Sequence, residues 1–258
     1  MQIVAVQIDT VWQNKPANHE KVRSLLAAQT IQKNALIVLP EMFDTGFSMQ
    51  LDATAQTAAR ESEVFLRDIA KQYQAAVIGG VVGPVSAGKG TNEAVAFAPN
   101  GSELVRYRKM QPFTLSGEDL KYGAGNAHCL FSWNGLKIAP FVCYDLRFPE
   151  IFRPAALDGA ELIVVIASWP ELRSEHWVRL LQARAIENQA FTVGVNRCGT
   201  DPTLSYDGRS TVFDPLGVSL FEADANEQAF AVNIAPAAVH QWRTEFPALQ
   251  DVRQDFRP

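Results

Sequence analysis

Three residues of this 258-residue chain have the types that nucleophilic catalysis uses, a thiol, a carboxylate and an ammonium, and each stands at the end of a probable strand. Cys143 ends L-K-I-A-P-F-V-C, Leu136 to Cys143, a segment that reads as a buried strand. Tyr144, Asp145, Leu146, Arg147, Phe148, Pro149 and Glu150 follow. Proline lacks an N–H and glutamate favours the positive end of a helix, so Pro149 and Glu150 suit a first helical turn. A cysteine between a strand end and a helix start sits on a tight turn near free N–H groups. Such a positive environment lowers a thiol pKa and populates the nucleophilic thiolate. Taken alone, a cysteine after an apolar strand is more often a buried small side chain. Glu41 follows the apolar run in A-L-I-V-L-P-E-M-F, Ala35 to Phe43, and Lys109 closes the strand-like alternation of L-V-R-Y-R-K. Strand C-termini are where open α/β sheets gather their sites. Separately, Glu41 reads as a solvated loop acid and Lys109 as one charge in a basic run with Arg106 and Arg108. Together, base, cation and thiol at three strand ends make coincidence much harder to accept.

These segments resemble the nitrilase superfamily of carbon–nitrogen hydrolases, whose catalytic triad runs Glu, Lys, Cys in chain order. The matching positions are Glu41, Lys109 and Cys143. The run C-Y-D-L-R-F-P-E looks like the amidase branches, whereas true nitrilases usually carry Trp-Glu after the cysteine. Glu118, in F-T-L-S-G-E, matches the superfamily's second glutamate; without that match it reads as an exposed loop acid beside Asp119. The resemblance continues through His176 to Gln189 and Val195 to Gly199, and so spans almost the whole chain. Within the superfamily it is most similar to the omega-amidases, which hydrolyse the terminal amide of 2-oxoglutaramate and 2-oxosuccinamate. Gln111-Pro112 departs from the His-Leu that relatives often carry after the lysine, which touches the pocket wall but not the triad.

The resemblance implies an α/β fold of four layers, an αββα sandwich, and a homodimer acting on a small amide without metal or other cofactor. It implies that Glu41 is the base and that Lys109 and the Tyr144 N–H stabilise an oxyanion. Glu118 would orient the groups around Lys109. A substrate with a distal carboxylate needs a cation, and Arg147 and Arg173 are the candidates. Phe43, Phe113, Tyr144 and Trp169 are candidate pocket walls, although aromatic residues of this kind more often belong to a core. Hydrolases of aliphatic amides or of N-carbamoyl amino acids, from the same superfamily, are the alternative branch.

Composition agrees with a globular enzyme read as one domain, 1–258. Apolar residues make up 47% and charged residues 20% with a net charge of −5, which argues against disorder and against a nucleic-acid surface. The longest apolar run, Leu162 to Ala167, is far short of a membrane span. Three cysteines without close pairing suggest a reducing compartment, and Met1 leads into Q-I-V-A-V-Q-I with no basic leader. A cytoplasmic location is expected, with Cys129 and Cys198 as packing residues.

The elements that must position these residues alternate along the chain. Strands are expected at 3–8, 35–39, 75–82, 93–98, 103–108, 161–167, 191–196, 210–213 and 229–234, and helices at 15–30, 57–74, 149–158 and 175–189. Trp177, Leu180, Leu181 and Ala185 give the last of these a buried face. G-P-V-S-A-G-K-G, Gly83 to Gly90, nearly matches a phosphate loop, but Gly90 stands where the motif needs Ser or Thr and a strand-like run follows. A surface loop is expected there and nucleotide binding is rejected. A Cys-His hydrolase is the chemical rival. His19 reads as part of a solvated helix and His240 lies near the tail, while His128 and His176 stay open as bases. No G-x-S-x-G elbow and no zinc-like Cys or His spacing occurs.

Overall fold

Side chains alternate across a strand, so a strand apolar at every position must be covered on both faces. In the computed structural model, which describes residues 1–256, that requirement is met by two sheets packed face to face with helices outside. The chain opens with β1 (Gln2–Gln7), α1 (Lys15–Ala27), β2 (Leu36–Val38), α2 (Leu51–Thr54) and α3 (Glu61–Tyr73). There follow β3 (Ala76–Val82), β4 (Asn92–Phe97), β5 (Glu103–Arg108), α4 (Glu118–Lys121), β6 (Phe131–Trp133) and β7 (Leu136–Val142). A 3₁₀ turn at Cys143–Arg147 leads to α5 (Pro149–Leu157), β8 (Leu162–Ala167), α6 (Ser174–Asn188) and β9 (Phe191–Asn196). The chain continues with β10 (Cys198–Thr200), β11 (Ser205–Asp207), β12 (Thr211–Phe213), β13 (Ser219–Glu222), β14 (Gln228–Asn233) and α7 (Pro236–Glu245).

One sheet has the order β14-β1-β2-β3-β4-β5 and the other β13-β12-β9-β8-β7-β6, with β10 and β11 forming a separate hairpin. In each sheet a parallel centre, β1-β2-β3 or β7-β8-β9, is bordered by antiparallel strands. The period of two decides the layers. Ile3, Ala5, Leu36, Val38, Ile78 and Tyr107 face the second sheet, in one core with Ile138 and Phe141. Val4, Val6, Ile37, Val77 and Val95 face the other way, onto Val22 and Leu26 of α1 and Phe65, Leu66 and Ile69 of α3. On the far side α5 and α6 cover the second sheet through Phe152, Trp177 and Leu181. The αββα sandwich expected from the resemblance is the observed architecture. No helix among the described residues is long and apolar enough to cross a membrane.

Several expected boundaries shift for local reasons. The helix expected from Thr57 begins at Glu61, because Arg60 takes a left-handed conformation (φ 53°) and the Glu61 carboxylate accepts the Thr57 N–H and hydroxyl. Gly83–Gly90 is a loop that leads into β4 rather than a helix. The strands β6, β10, β11 and β13 and the helix α7 carry no adequate sequence signal. Three or four residues cannot display an alternation, and α7 fully buries only Val239.

Gly80 controls where β2 can end. A Cβ built there would lie 2.5 Å from Glu41 Cα, 2.6 Å from Met42 N and 2.7 Å from the Pro40 carbonyl oxygen. The missing side chain lets the Pro40–Met42 turn lie directly on β3, where Gly80 N–H donates to Pro40 O at 3.0 Å. All three neighbours are backbone and cannot rotate away. Gly80→Ala should therefore cost about 1–3 kcal/mol. Thermal unfolding followed by circular dichroism checks this, with a loss of roughly 2–4 °C per kcal/mol in a chain of this size.

Candidate active site

The three candidate residues come from both sheets and meet at one edge of the sandwich. Glu41 lies just past β2, Lys109 just past β5 and Cys143 just past β7, while Glu118 opens α4. Lys109 Nζ donates to Glu41 Oε1 at 2.9 Å and to both Glu118 oxygens at 3.1 and 2.9 Å. Glu41, Lys109 and Glu118 are all buried, so the reading of Glu118 as an exposed loop acid fails. Its helix start points the carboxylate inward, where Oε2 also accepts the Phe113 N–H. Glu41 Oε2 accepts the Ser168 N–H at 2.9 Å.

Burial disfavours the Lys109 ammonium, but the charges of Glu41 and Glu118, together with Cys143, outweigh that and raise its pKa. The cation is thus held charged. At Cys143 the balance runs the other way. Burial pushes the thiol well above its usual 9.0 and the Glu41 charge adds to this, against smaller opposing effects of Lys109 and the Ser168 N–H. The sequence expectation of a thiolate populated by a positive turn is therefore wrong for the resting site. Burial dominates, and the Glu41 charge outweighs that of Lys109 at the sulfur. The thiol keeps its proton, with Glu41 as the neighbouring charge that acts on it most strongly. The backbone at Cys143 is left-handed (φ 47°), a conformation that costs a non-glycine residue energy. An acceptor carboxylate, a fixed ammonium and a protonated thiol on a sharp turn can transfer a proton while a sulfur–carbon bond forms.

A cavity of about 360 Å³ opens above Cys143 and Lys109. Of the candidate walls, Tyr144, Trp169 and Phe113 line it, as do Arg147 and Arg173. The Tyr144 ring packs between Phe113 and Phe148, with centroids 4.9 and 5.1 Å away. Arg147 lies over Trp169 at 4.7 Å and Arg173 over Phe113 at 5.6 Å. Burial, with the charge of Arg173 second, lowers the Arg147 pKa. Among the described residues Arg147 has one side-chain hydrogen-bond contact, with His176 Nδ1 at 3.3 Å, and neither guanidinium is paired with a carboxylate.

Phe43 is not a pocket wall. It is fully buried in the core between the first sheet and its helices, stacked 5.7 Å from Phe65. The chain turns at Met42, whose φ of 44° sends the next side chain away from the cavity. His19 also departs from its solvated reading, since its ring stacks on Phe65 at 4.0 Å and bonds Asp44 at 3.1 Å. His128 pairs with Asp158 and His240 with Glu161, and neither borders the cavity. Of the other cysteines, Cys198 is buried and Cys129 half-buried. Sequence reasoning missed Asn92, which is buried at the start of β4 and donates from Nδ2 to Glu41 Oε1 at 2.7 Å and Glu118 Oε1 at 2.9 Å. It also missed Trp12, Phe47 and Tyr206 in the cavity wall. No sequence periodicity marks any of these four, because loops, a strand end and a three-residue strand carry them.

The model of the carbon–nitrogen hydrolase family matches residues 2–244. The omega-amidase YafV of Escherichia coli K12 is 38% identical over 260 aligned positions, covering 100% of this chain and 98% of that protein. The 2-oxoglutaramate amidase of Bacillus subtilis 168 is 31% identical, covering 98% of both. Among solved structures, XC1258 from Xanthomonas campestris, described as a CN-hydrolase superfamily protein with an arsenic adduct in its active site, is 33% identical. It superposes with a TM-score of 0.91 over 98% of this chain and 97% of its own.

Two expected outcomes test the site. Glu41→Gln should lower turnover of an amide by about 10²–10⁴-fold, the range for loss of a general base. His128→Ala, away from the cavity, should keep it. Loss of turnover in a folded His128→Ala protein, with Glu41→Gln still active, would favour a Cys-His hydrolase. Because burial raises the Cys143 pKa, its proton should remain bound from neutral pH up to the ordinary thiol value of 9.0. Thiolate absorbance of the protein minus that of Cys143→Ala should stay flat over that interval and rise only above it.

Proposed function

The chain belongs to the carbon–nitrogen hydrolase family, and from that premise we propose that it cleaves the terminal amide of small amides bearing a distal carboxylate, 2-oxoglutaramate and 2-oxosuccinamate. It is an amidase of the nitrilase superfamily. The observation that carries the substrate reading is the pair of guanidiniums in the cavity wall, over Trp169 and Phe113 and, among the described residues, unpaired with any carboxylate. Two like charges close enough to depress the Arg147 pKa are relieved by an anion placed between them. Relatives of similar length carry the names omega-amidase and 2-oxoglutaramate amidase, which supports the same class.

The mechanism follows from the protonation states. The amide carbon lies over Sγ, and Glu41 removes the thiol proton as the sulfur–carbon bond forms. A raised thiol pKa makes this base necessary, because little thiolate exists beforehand. The carbonyl oxygen becomes an oxyanion facing the Lys109 ammonium and the Tyr144 N–H. Donors of this kind are worth about 3 kcal/mol each. Lys109 serves because Glu41 and Glu118 keep it protonated, so it stabilises charge without giving up its proton. Glu41 passes the proton to the leaving nitrogen, ammonia departs and a thioester remains. Glu41 then takes a proton from water as it attacks the thioester, and returns one to sulfur as the acid leaves. Glu118 and Asn92 hold Lys109 and Glu41 in register throughout.

Ammonia release from 2-oxoglutaramate, glutamine, propionamide and propionitrile at equal concentration tests this reading. 2-Oxoglutaramate should be preferred over the neutral amide by about 10- to 150-fold in kcat/KM, the worth of one charge-assisted contact at roughly 1.5–3 kcal/mol. Glutamine should be poor, since its α-ammonium brings a positive charge beside two arginines. Arg147→Met or Arg173→Met should reduce the preference without lowering propionamide turnover. Preference for propionamide or the nitrile would refute the substrate class and leave the amidase chemistry standing.

A further inference from the structure

We propose that Asp145 is a positioning residue whose buried carboxylate ties the strand end carrying Lys109 to the turn carrying Cys143. Its side chain is wholly buried and is not part of the cavity wall, so it cannot touch substrate. Oδ2 accepts the Tyr107 hydroxyl at 2.8 Å and the Val142 N–H at 2.9 Å, and Oδ1 accepts the Gln111 N–H at 2.9 Å. Tyr107 and Gln111 stand two residues before and two residues after Lys109, and Val142 immediately precedes Cys143. Tyr107 lies in β5 of one sheet and Gln111 three residues past its end, whereas Val142 ends β7 in the other. One carboxylate therefore spans the two sheets at the point where cation and nucleophile must meet.

The chemistry of the partners explains why the residue is an acid. All three are donors, and a carboxylate can accept from all of them. A carboxamide presents one oxygen and an NH₂ group, which would face a backbone N–H on one side. The tie also matters because β5 is an edge strand, paired only with β4 in its sheet. Beyond its last residue, Lys109 is held in the main chain by Asn92 O at 2.9 Å and by the Gly125 N–H at 2.8 Å. Neither bond refers to Cys143. The Asp145 contacts do.

Two variants separate positioning from stability. Tyr107→Phe removes one donor and keeps the ring, which packs edge-on against Phe141 at 5.5 Å. Asp145→Asn misplaces a backbone amide as well. Steady-state kinetics with both 2-oxoglutaramate and propionamide, well below each variant's unfolding transition, provide the readout. Using both substrates keeps the test independent of the proposed carboxylate preference. Tyr107→Phe should lower kcat by about tenfold and Asp145→Asn by about a hundredfold, as displacement of reacting groups by around an ångström does. KM should stay unchanged, since the carboxylate lies outside the cavity. The double variant should be no slower than Asp145→Asn, because Tyr107 acts through the same carboxylate. Unchanged kcat in folded Tyr107→Phe overturns the proposal, as does a rise in KM with kcat preserved. If Asp145→Asn does not fold, Tyr107→Phe decides alone.

Discussion

A lysine ammonium with almost no solvent access is the constraint on which the rest of this site depends. Isolated in the interior, the charge would be prohibitively costly, so it exists only with compensating partners. Glu41 and Glu118 supply that compensation at 2.9 Å each, and Asn92 bridges the same two carboxylates. The arrangement has a second consequence. Burial, with the Glu41 charge second, pushes the thiol pKa up against the smaller effect of Lys109, so Cys143 rests with its proton bound. A cysteine hydrolase built on histidine can store a thiolate beside an imidazolium. Here the thiol stays neutral until a carbonyl is present to accept the electrons, and the base must act during bond formation.

The architecture supplies what this electrostatic arrangement needs, which is fixed geometry at the meeting of two sheets. Glu41 and Lys109 leave the first sheet and Cys143 leaves the second, all at the same edge. The departures at Glu41 and Cys143 are sharp turns. Gly80 lets the Glu41 turn lie against β3, and Met42 and Cys143 both adopt left-handed conformations. Such conformations persist only when their surroundings hold them. The hydrogen bonds of Glu41 to Ser168 and of Asp145 to Val142 are among those restraints.

The cavity divides into two electrostatic regions. Its floor holds Lys109, whose charge is already balanced by two carboxylates, and it offers an oxyanion donors without attracting an arbitrary anion. Its wall holds Arg147 and Arg173, over Trp169 and Phe113 and, among the described residues, without an ion pair, while Asp201 in the same wall accepts the Tyr206 hydroxyl. Stacking fixes the guanidiniums without neutralising them. A ligand carrying one carboxylate and one amide matches such a division end to end.

Much of the chemistry was legible in the sequence because it depends on chain-order motifs and strand ends. Apolar runs ending near Glu41 and Cys143, and an alternation ending at Lys109, marked strand termini, and strand termini face one edge of an α/β sheet. The apolar-at-every-position strands required cover on both faces. What the sequence left undetermined are matters of direction and environment. Phe43 follows a strand whose alternation is broken at Met42, so its side chain enters the helix-facing core rather than the cavity. Glu118, Asn92 and Asp145 are polar residues in loops, a short helix or at a strand start, where no period signals burial. Only the packing of two sheets encloses them, and enclosure is also what raises the thiol pKa. A motif specifies which groups meet, but the dielectric around them and the sign of their combined field belong to the folded structure alone.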